Sequence, residues 1–442
     1  MALLGPGSAM SNHLALCASA ASTAAATTDF KALVCVFLYG GSDSFNMQVP
    51  SSAGAYASFA AARPALRVAR EDLLLNDSAL GFHPSLSRTH ELFKQGNLAV
   101  VSNVGNLIRP TSRTDFLAEN DAIPTGLFAH DTQQEQWQKG HSSSPASLVG
   151  TGWGGRIADQ TSPAIASSIA PNISIAGSNF WTQGGLNKSM SIHPRDGLVR
   201  LNHLDGQLRA NNAARESTLE AIFSASGNHP MKDALIERYR SAKQASRVVT
   251  AALADAPVLT TPFDSSNRLA SQLNMVARLI GARSELNIPQ QVFFVGLGGW
   301  DTHSSQAVLL PQLLGALDNA LGSFYSMLEE LGVEDSVTTF TASDFGRSLT
   351  INGDGTDHGW GGNYMVLGGA VNGGQLYGRQ PDYSLGGPDD AGEDGRIIPS
   401  TSINQYGAVL ARWLGVDNVG LTSVFPDLEN FGGNWDQALD FI

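Results

Sequence analysis

Four short apolar runs, each followed within a few residues by a polar cluster, constrain this chain more than any other feature. They are ALVCVFLY at 32–39, LAVVSNV at 98–104, QVFFVGL at 291–297 and VTTFTA at 337–342. Each is rich in Val, Phe or Thr and reads as a strand buried on both faces. Helical patterns lie between them. Leu313, Leu314, Leu317, Leu321, Phe324, Leu328 and Leu331 recur at helical spacing, and Gly332 follows as a stop. Met231–Asn287 reads as mostly helical with a break at Pro257–Pro262, and Gln405–Leu414 as a short helix. Strands alternating with helices predict an α/β sheet with helices on both faces.

The 442 residues suffice for one large α/β unit. The reading is a leader at 1–29, one domain at 30–432 with an insertion or cap at about 120–290, and a tail at 433–442. The net charge of −13 argues against nucleic acid as a partner. No window of about 18 uninterrupted apolar residues is present, so no membrane span is expected. Of two cysteines, Cys17 lies in the leader and Cys35 in an apolar run; neither a disulfide nor a cysteine metal site is expected. The leader has small residues but no Lys or Arg before Lys31, so it lacks the positive head of a secretory signal. Residues 382–396 form an acidic Gly-rich loop, whose part at 389–394 reads as a solvated surface, with a Ca²⁺ loop as the sharper alternative.

In an open parallel sheet, ligands bind beyond the carboxyl ends of the strands. Those ends carry Asp43 after Gly40–Gly41–Ser42; Arg113 and Thr114; Asp301 and His303 after Gly298–Gly299–Trp300; and Asp344 and Arg347, followed by Asp357 and His358. Asp and His without a usable Cys suit a divalent cation: Zn, Mn, Mg or Ca. Such a site polarises a phosphoryl or sulfuryl oxygen and activates a hydroxyl. Thr114 is the candidate nucleophile, and Arg113 and Arg347 would hold the non-transferring oxygens. Each residue also has a plain reading. Asp43 and Asp344 suit turn or helix caps, Thr114 an N-cap, and His83 and His130 core or capping positions.

Several longer motifs occur in order: FLYGGSDSFNMQVP at 37–50, TSRTDFLAEN at 111–120, LFAHDTQQEQWQ at 127–138, GTGWGGRIAD at 150–159, GGWDTH at 298–303, TASDFGRSLTINGDGTDHGWGGNYMVLGGAVNGGQLYG at 341–378, INQYGAVLARWLGV at 403–416 and VFPDLENF at 424–431. Together they resemble a large exported bacterial family known as domain of unknown function 1501, itself similar to the alkaline phosphatase and sulfatase superfamily. The resemblance implies an alkaline-phosphatase-like, mostly parallel sheet between helices, with a metal-assisted esterase site at the strand ends. It implies Asp43 as the first-strand ligand, Thr114 near the nucleophile, Asp301 and His303 as a ligand pair, Asp344 as a second carboxylate and His358 as the late histidine ligand. It also implies periplasmic or secreted placement through the twin-arginine route, although this chain shows no Arg pair. Two departures stand out. Phe345 follows Asp344 where those enzymes have His, and Thr114–Asp115–Phe116 stands where the family usually has Ser-His-Phe.

Two readings of function follow. One is an exported metal-dependent hydrolase of phosphate or sulfate esters acting on a small-molecule or glycan substrate. The other is an inactive exported protein that uses the same fold for binding or for homo-oligomeric assembly.

Overall fold

The computed structural model describes residues 30–140, 150–162, 169–195, 197–198, 211–224 and 229–442. The leader, with Cys17, lies outside the described residues. The strands are β1 (Lys31–Tyr39), β2 (Gln48–Pro50), β3 (Leu80–Phe82), β4 (Leu98–Gly105), β5 (Asn172–Ser174), β6 (Met190–His193), β7 (Gly197–Leu198), β8 (Gln290–Gly298), β9 (Val337–Ser343), β10 (Arg347–Asn352), β11 (Gly355–His358), β12 (Gly362–Leu367), β13 (Leu376–Tyr377) and β14 (Thr401–Ser402). The central sheet runs β13-β4-β12-β9-β1-β8-β5-β6-β7, with β14 beside β4. It is mostly parallel; β12 is antiparallel to both β4 and β9, and β7 to β6. This is the α/β class expected from the apolar runs, which become β1, β4, β8 and β9.

The pleat explains why those runs are continuously apolar. Along β1, Ala32, Val34, Val36 and Leu38 face one core, and Leu33, Cys35 and Phe37 the other. Helices Ser87–Lys94, Pro230–Asp255, Arg268–Gly281 and Gln306–Glu330 cover the first face. Helices Trp153–Thr161, Ile403–Leu414 and Asn418–Val424 cover the second, with Trp137, Trp153 and Trp181 buried among them. Fully burying one such large apolar side chain contributes roughly 1.5–3 kcal/mol, so each face is a substantial core.

Described parts of the stretch at about 120–290 join the sheet and its core. Its strand β5 pairs with β8, and its helix Arg268–Gly281 belongs to the main core. The tail at 433–442 is packed as well: Leu439 and Phe441 are buried against the second core. In the stretch 389–394, Glu393 and Asp394 are exposed as a solvated surface would have them, but Asp389 and Asp390 are buried. The Asp390 carboxylate accepts N–H groups from Gly386, Gly392, Gly395 and Arg396 at 2.9–3.2 Å, so both of its oxygens are already used in holding the loop together.

Candidate metal and active site

The three central strands β9, β1 and β8 run parallel and side by side, so their carboxyl ends open on one rim. After β1 the chain turns at Gly40 and Gly41, with φ of +119° and +80°. A Cβ at Gly40 would lie 2.4 Å from the Asp301 nitrogen, and one at Gly41 would lie 2.4 Å from the Phe345 ring. Only glycine permits both the backbone and the approach. The β1 end is thereby pressed between the two polar clusters that follow β8 and β9.

Asp301 is the hub. His303 Nε2 lies 3.0 Å from Asp301 Oδ1, His358 Nε2 3.4 Å from the same oxygen, and His130 Nε2 3.5 Å from Oδ2. Arg347, itself buried, donates to Asp301 Oδ1 at 2.7 Å. Burial alone would raise the Asp301 pKa; the Arg347 hydrogen bond and charge, with His303 and His130 adding, leave it lowered.

Each imidazole turns Nδ1 toward an oxygen, and in His130 and His358 the contact is a hydrogen bond. His130 meets Asp344 Oδ2 at 2.7 Å. His358 donates to the Phe128 carbonyl at 2.7 Å, a carbonyl turned inward because Phe128 adopts φ +71°. His303 faces Asp357 Oδ1 at 3.3 Å. A neutral imidazole that donates from Nδ1 keeps a bare lone pair on Nε2. The three Nε2 atoms therefore converge on one carboxylate. His303 Nε2 and His358 Nε2 are 2.9 Å apart, a separation at which two bare lone pairs repel unless a proton or cation lies between them. Burial lowers the His358 pKa, favouring its neutral form.

This donor set fits a divalent cation. Among the described residues, His130, Asp301 and His358 offer ligand atoms all within 4.8 Å of one another. The Nε2 of His130 and the Oδ1 of Asp344 are buried and have no hydrogen-bond partner among the described residues. Two imidazoles and one carboxylate, each imidazole oriented by an outer acceptor, match the make-up of catalytic sites that keep a position open.

Several residues singled out from the sequence do not stand where they were expected. Asp43 is fully buried and spent elsewhere: Arg63 Nη1 lies 2.7 Å from both of its oxygens, and Gln306 donates to Oδ2 at 2.5 Å. It neutralises a buried guanidinium and does not join the imidazoles. Arg347 is likewise a buried tie, bonded to Asp301, the Gly40 carbonyl and Thr356, with no surface left for an oxyanion. Arg113 donates to the carbonyls of Asp390 and Gly392 and so secures that loop. Thr114 is exposed on the five-residue helix Arg113–Leu117, which starts from a Ser112–Asp115 capping box. Its side chain makes no hydrogen bond to the cluster. Asp357 serves His303 and accepts from Asn352 at 3.1 Å, one step out from the convergence.

Asp344 sits under the cluster, with its Oδ2 accepting from His130, Gln134 Nε2 (2.8 Å) and the Gly40 N–H (3.2 Å). Burial raises its pKa. Phe345, standing where an imidazole was expected, is ring-packed against both His130 (4.9 Å between centroids) and His358 (4.7 Å). His130 is the residue that reading for strand ends passed over. It begins the helix His130–Lys139, and Gln134, one turn on, reaches the same Asp344 oxygen. That i, i+4 His–Gln pair was the available signal. His83, by contrast, is buried away from the cluster, where its Nδ1 accepts the Ser85 N–H at 3.0 Å in the turn before the helix Ser87–Lys94.

The molecule is thus a mostly parallel α/β protein with an imidazole–carboxylate cluster at its strand ends. The chain belongs to the family described as protein of unknown function (DUF1501), whose profile matches residues 30–390. No curated protein matches it. Among solved structures it is similar to i-CgsB in complex with k-i-k-neocarrahexaose (10% identity, TM-score 0.33, covering 91% of this chain and 77% of that one). It is also similar to the PsFucS1 sulfatase from Pseudoalteromonas sp. (9% identity, TM-score 0.35, 88% and 68%) and to a mutant of the alkaline phosphatase PafA (10% identity, TM-score 0.29, 72% and 64%). Likeness this slight carries no argument about activity, which rests on the site. No helix among the described residues is long and apolar enough to cross a membrane.

Proposed function

We propose that the protein is a metal-dependent hydrolase of phosphate or sulfate esters, with His130, Asp301 and His358 holding a divalent cation. The observation that carries this reading is the convergence of three imidazoles on Asp301, two of them, His130 and His358, held by hydrogen bonds at Nδ1. When bound, the cation supplies Lewis-acid polarisation of an ester oxygen. The remaining work belongs to the chain. Asp344 and the Phe128 carbonyl fix the ring planes of His130 and His358, so the ligand atoms are set before substrate arrives. Arg347 pins Asp301 and keeps it ionised. His303 is half-exposed at the mouth, and with Nδ1 facing Asp357 it is placed to exchange a proton at Nε2 with the attacking or leaving oxygen. The hydroxyl expected at Thr114 is not among the gathered groups, so attack by water suits this site better. The reading includes periplasmic or secreted placement, supported by the family resemblance.

The test uses metal-stripped full-length protein with 4-nitrophenyl phosphate and 4-nitrophenyl sulfate, before and after addition of Zn²⁺, Mn²⁺ or Mg²⁺. Turnover that depends on the cation and is lost in Asp301→Asn supports the proposal. No turnover under any of these conditions counts against it and in favour of an inactive binding protein.

A further inference from the structure

The helix Gln306–Glu330 begins against the usual amphipathic pattern. Val308 is 61% exposed in its first turn, whereas the polar Gln306 is buried. A buried amide is tolerated where hydrogen bonds replace its water, and Gln306 has them at both ends. Its Nε2 donates to Asp43 Oδ2 at 2.5 Å, and its Oε1 accepts from Thr302 Oγ1 at 3.0 Å and from Thr356 Oγ1 at 2.7 Å. Asp43, Thr302 and Thr356 are buried as well.

The charged groups at the two ends dictate the sense of every bond. A carboxylate only accepts and a guanidinium only donates. Asp43 therefore holds the amide with its N–H₂ toward itself and its carbonyl oxygen toward the threonines. The one hydroxyl proton of Thr356 goes to that oxygen, which leaves a lone pair to accept from Arg347 Nε at 3.2 Å. Arg347 also donates to the Thr356 carbonyl, and its Nη1 reaches Asp301 Oδ1 at 2.7 Å. Reversing any link would set two donors or two acceptors against each other. Thr302 supplies a second path. It follows Asp301 in the chain, and its carbonyl accepts the Thr356 N–H at 3.2 Å. One amide oxygen thus restrains Asp301 from both directions, its backbone through Thr302 and its carboxylate through Thr356 and Arg347.

We propose that Gln306 is the positioning residue of the cluster. Held by Asp43, it sets where the Asp301 carboxylate stands, and hence how tightly His130, Asp301 and His358 hold a cation. The affinity half rests on the cation reading above; the placement of Asp301 does not. Asp43 then acts on the site without being one of its ligands.

The experiment compares Gln306→Met, Thr356→Val and Thr356→Ser with the parent chain. Zn²⁺ affinity is read by chelator competition, and the position of Asp301 in crystals of the metal-stripped proteins. Gln306→Met and Thr356→Val should each bind Zn²⁺ about 3–10-fold more weakly, less than the roughly 10–100-fold typical when a direct outer partner is lost. Thr356→Ser keeps the hydroxyl and should stay within about twofold of the parent chain. Adding Thr356→Val to Gln306→Met should weaken binding no further, because both act through one chain of bonds. In the metal-free crystals, Asp301 should lose its 2.7 Å contact with Arg347 Nη1 in Gln306→Met and Thr356→Val and keep it in Thr356→Ser. Unchanged Zn²⁺ affinity in both Gln306→Met and Thr356→Val, or an unmoved Asp301 in both, overturns the proposal. A Thr356→Ser chain as weak as Thr356→Val assigns the effect to packing and overturns it as well. A parent chain that takes up no Zn²⁺ removes the cation reading, and the crystals then decide: a displaced Asp301 upholds the positioning role and an unmoved one ends it.

Discussion

His130 Nδ1 lies 2.7 Å from the Oδ2 of buried Asp344, although 214 positions separate them in the chain. This contact sets which imidazole nitrogen faces Asp301. Replacing Asp344 with Asn places an N–H₂ group or a weaker acceptor against three donors: His130, Gln134 and the Gly40 N–H. Loss of an outer partner of a metal-binding histidine typically costs about 10–100-fold in affinity. Asp344→Asn is therefore expected to remain folded by circular dichroism and to bind Zn²⁺ 10–100-fold more weakly in a chelator competition. Unchanged affinity would remove Asp344 from the account.

Asp43 gives the opposite expectation. Its charge is matched by Arg63, with both side chains fully buried. Removing one partner of a buried ion pair leaves the other uncompensated, at a cost of about 3–5 kcal/mol. Arg63→Ala and Asp43→Ala should each lower stability by about that amount in urea unfolding, and the double variant by less than their sum. Asp43→Asn should keep the metal stoichiometry of the parent chain. Loss of the cation in that variant, with the fold intact, would restore Asp43 as a ligand.

His83 gives a pH dependence away from the metal. Burial lowers its pKa from 6.5 to about 4, with the Asp43 charge opposing. The unfolded chain therefore binds more protons than the folded one between those values, so stability rises with pH there. The contribution is fully present above pH 6.5 and is lost as pH falls toward 4. Its size is on the order of 3 kcal/mol at most. Protonation also removes the acceptor that Nδ1 offers to the Ser85 N–H. Unfolding free energies measured from pH 7 to 4 should fall more steeply for the parent chain than for His83→Asn. Parallel curves would show that His83 does not titrate in this window.

How much of this was readable before folding depends on what each residue answers to. The strands β1, β4, β8 and β9 were plain, because a strand buried on both faces must be apolar at every position. Asp301, His303 and Asp344 were accessible because parallel strands present their carboxyl ends on one rim; His358 is carried back to that rim by the antiparallel pair β10–β11, which follows β9. Asp43 occupies the same kind of position, yet its role depends on Arg63, a charge 20 residues away whose burial no local pattern announces. Arg347 looked like an oxyanion ligand because an Arg beside a strand end is ambiguous until its five donors are counted. His130 lies on a helix outside the strand pattern, brought to the rim by tertiary packing. Residues 382–396 were read by composition, but Asp390 turns inward because four backbone N–H groups there need an acceptor.

The convergence of imidazoles on Asp301 is tested most directly by loading the metal-stripped chain with Zn²⁺ and combining elemental analysis with X-ray absorption at the zinc edge. The account expects tightly held zinc with at least two imidazole nitrogens at about 2.0–2.1 Å, and loss of that signal in His130→Ala and His358→Ala but not in Asp43→Asn. A chain that takes up no zinc, or zinc whose imidazole signal survives both histidine replacements, would contradict it.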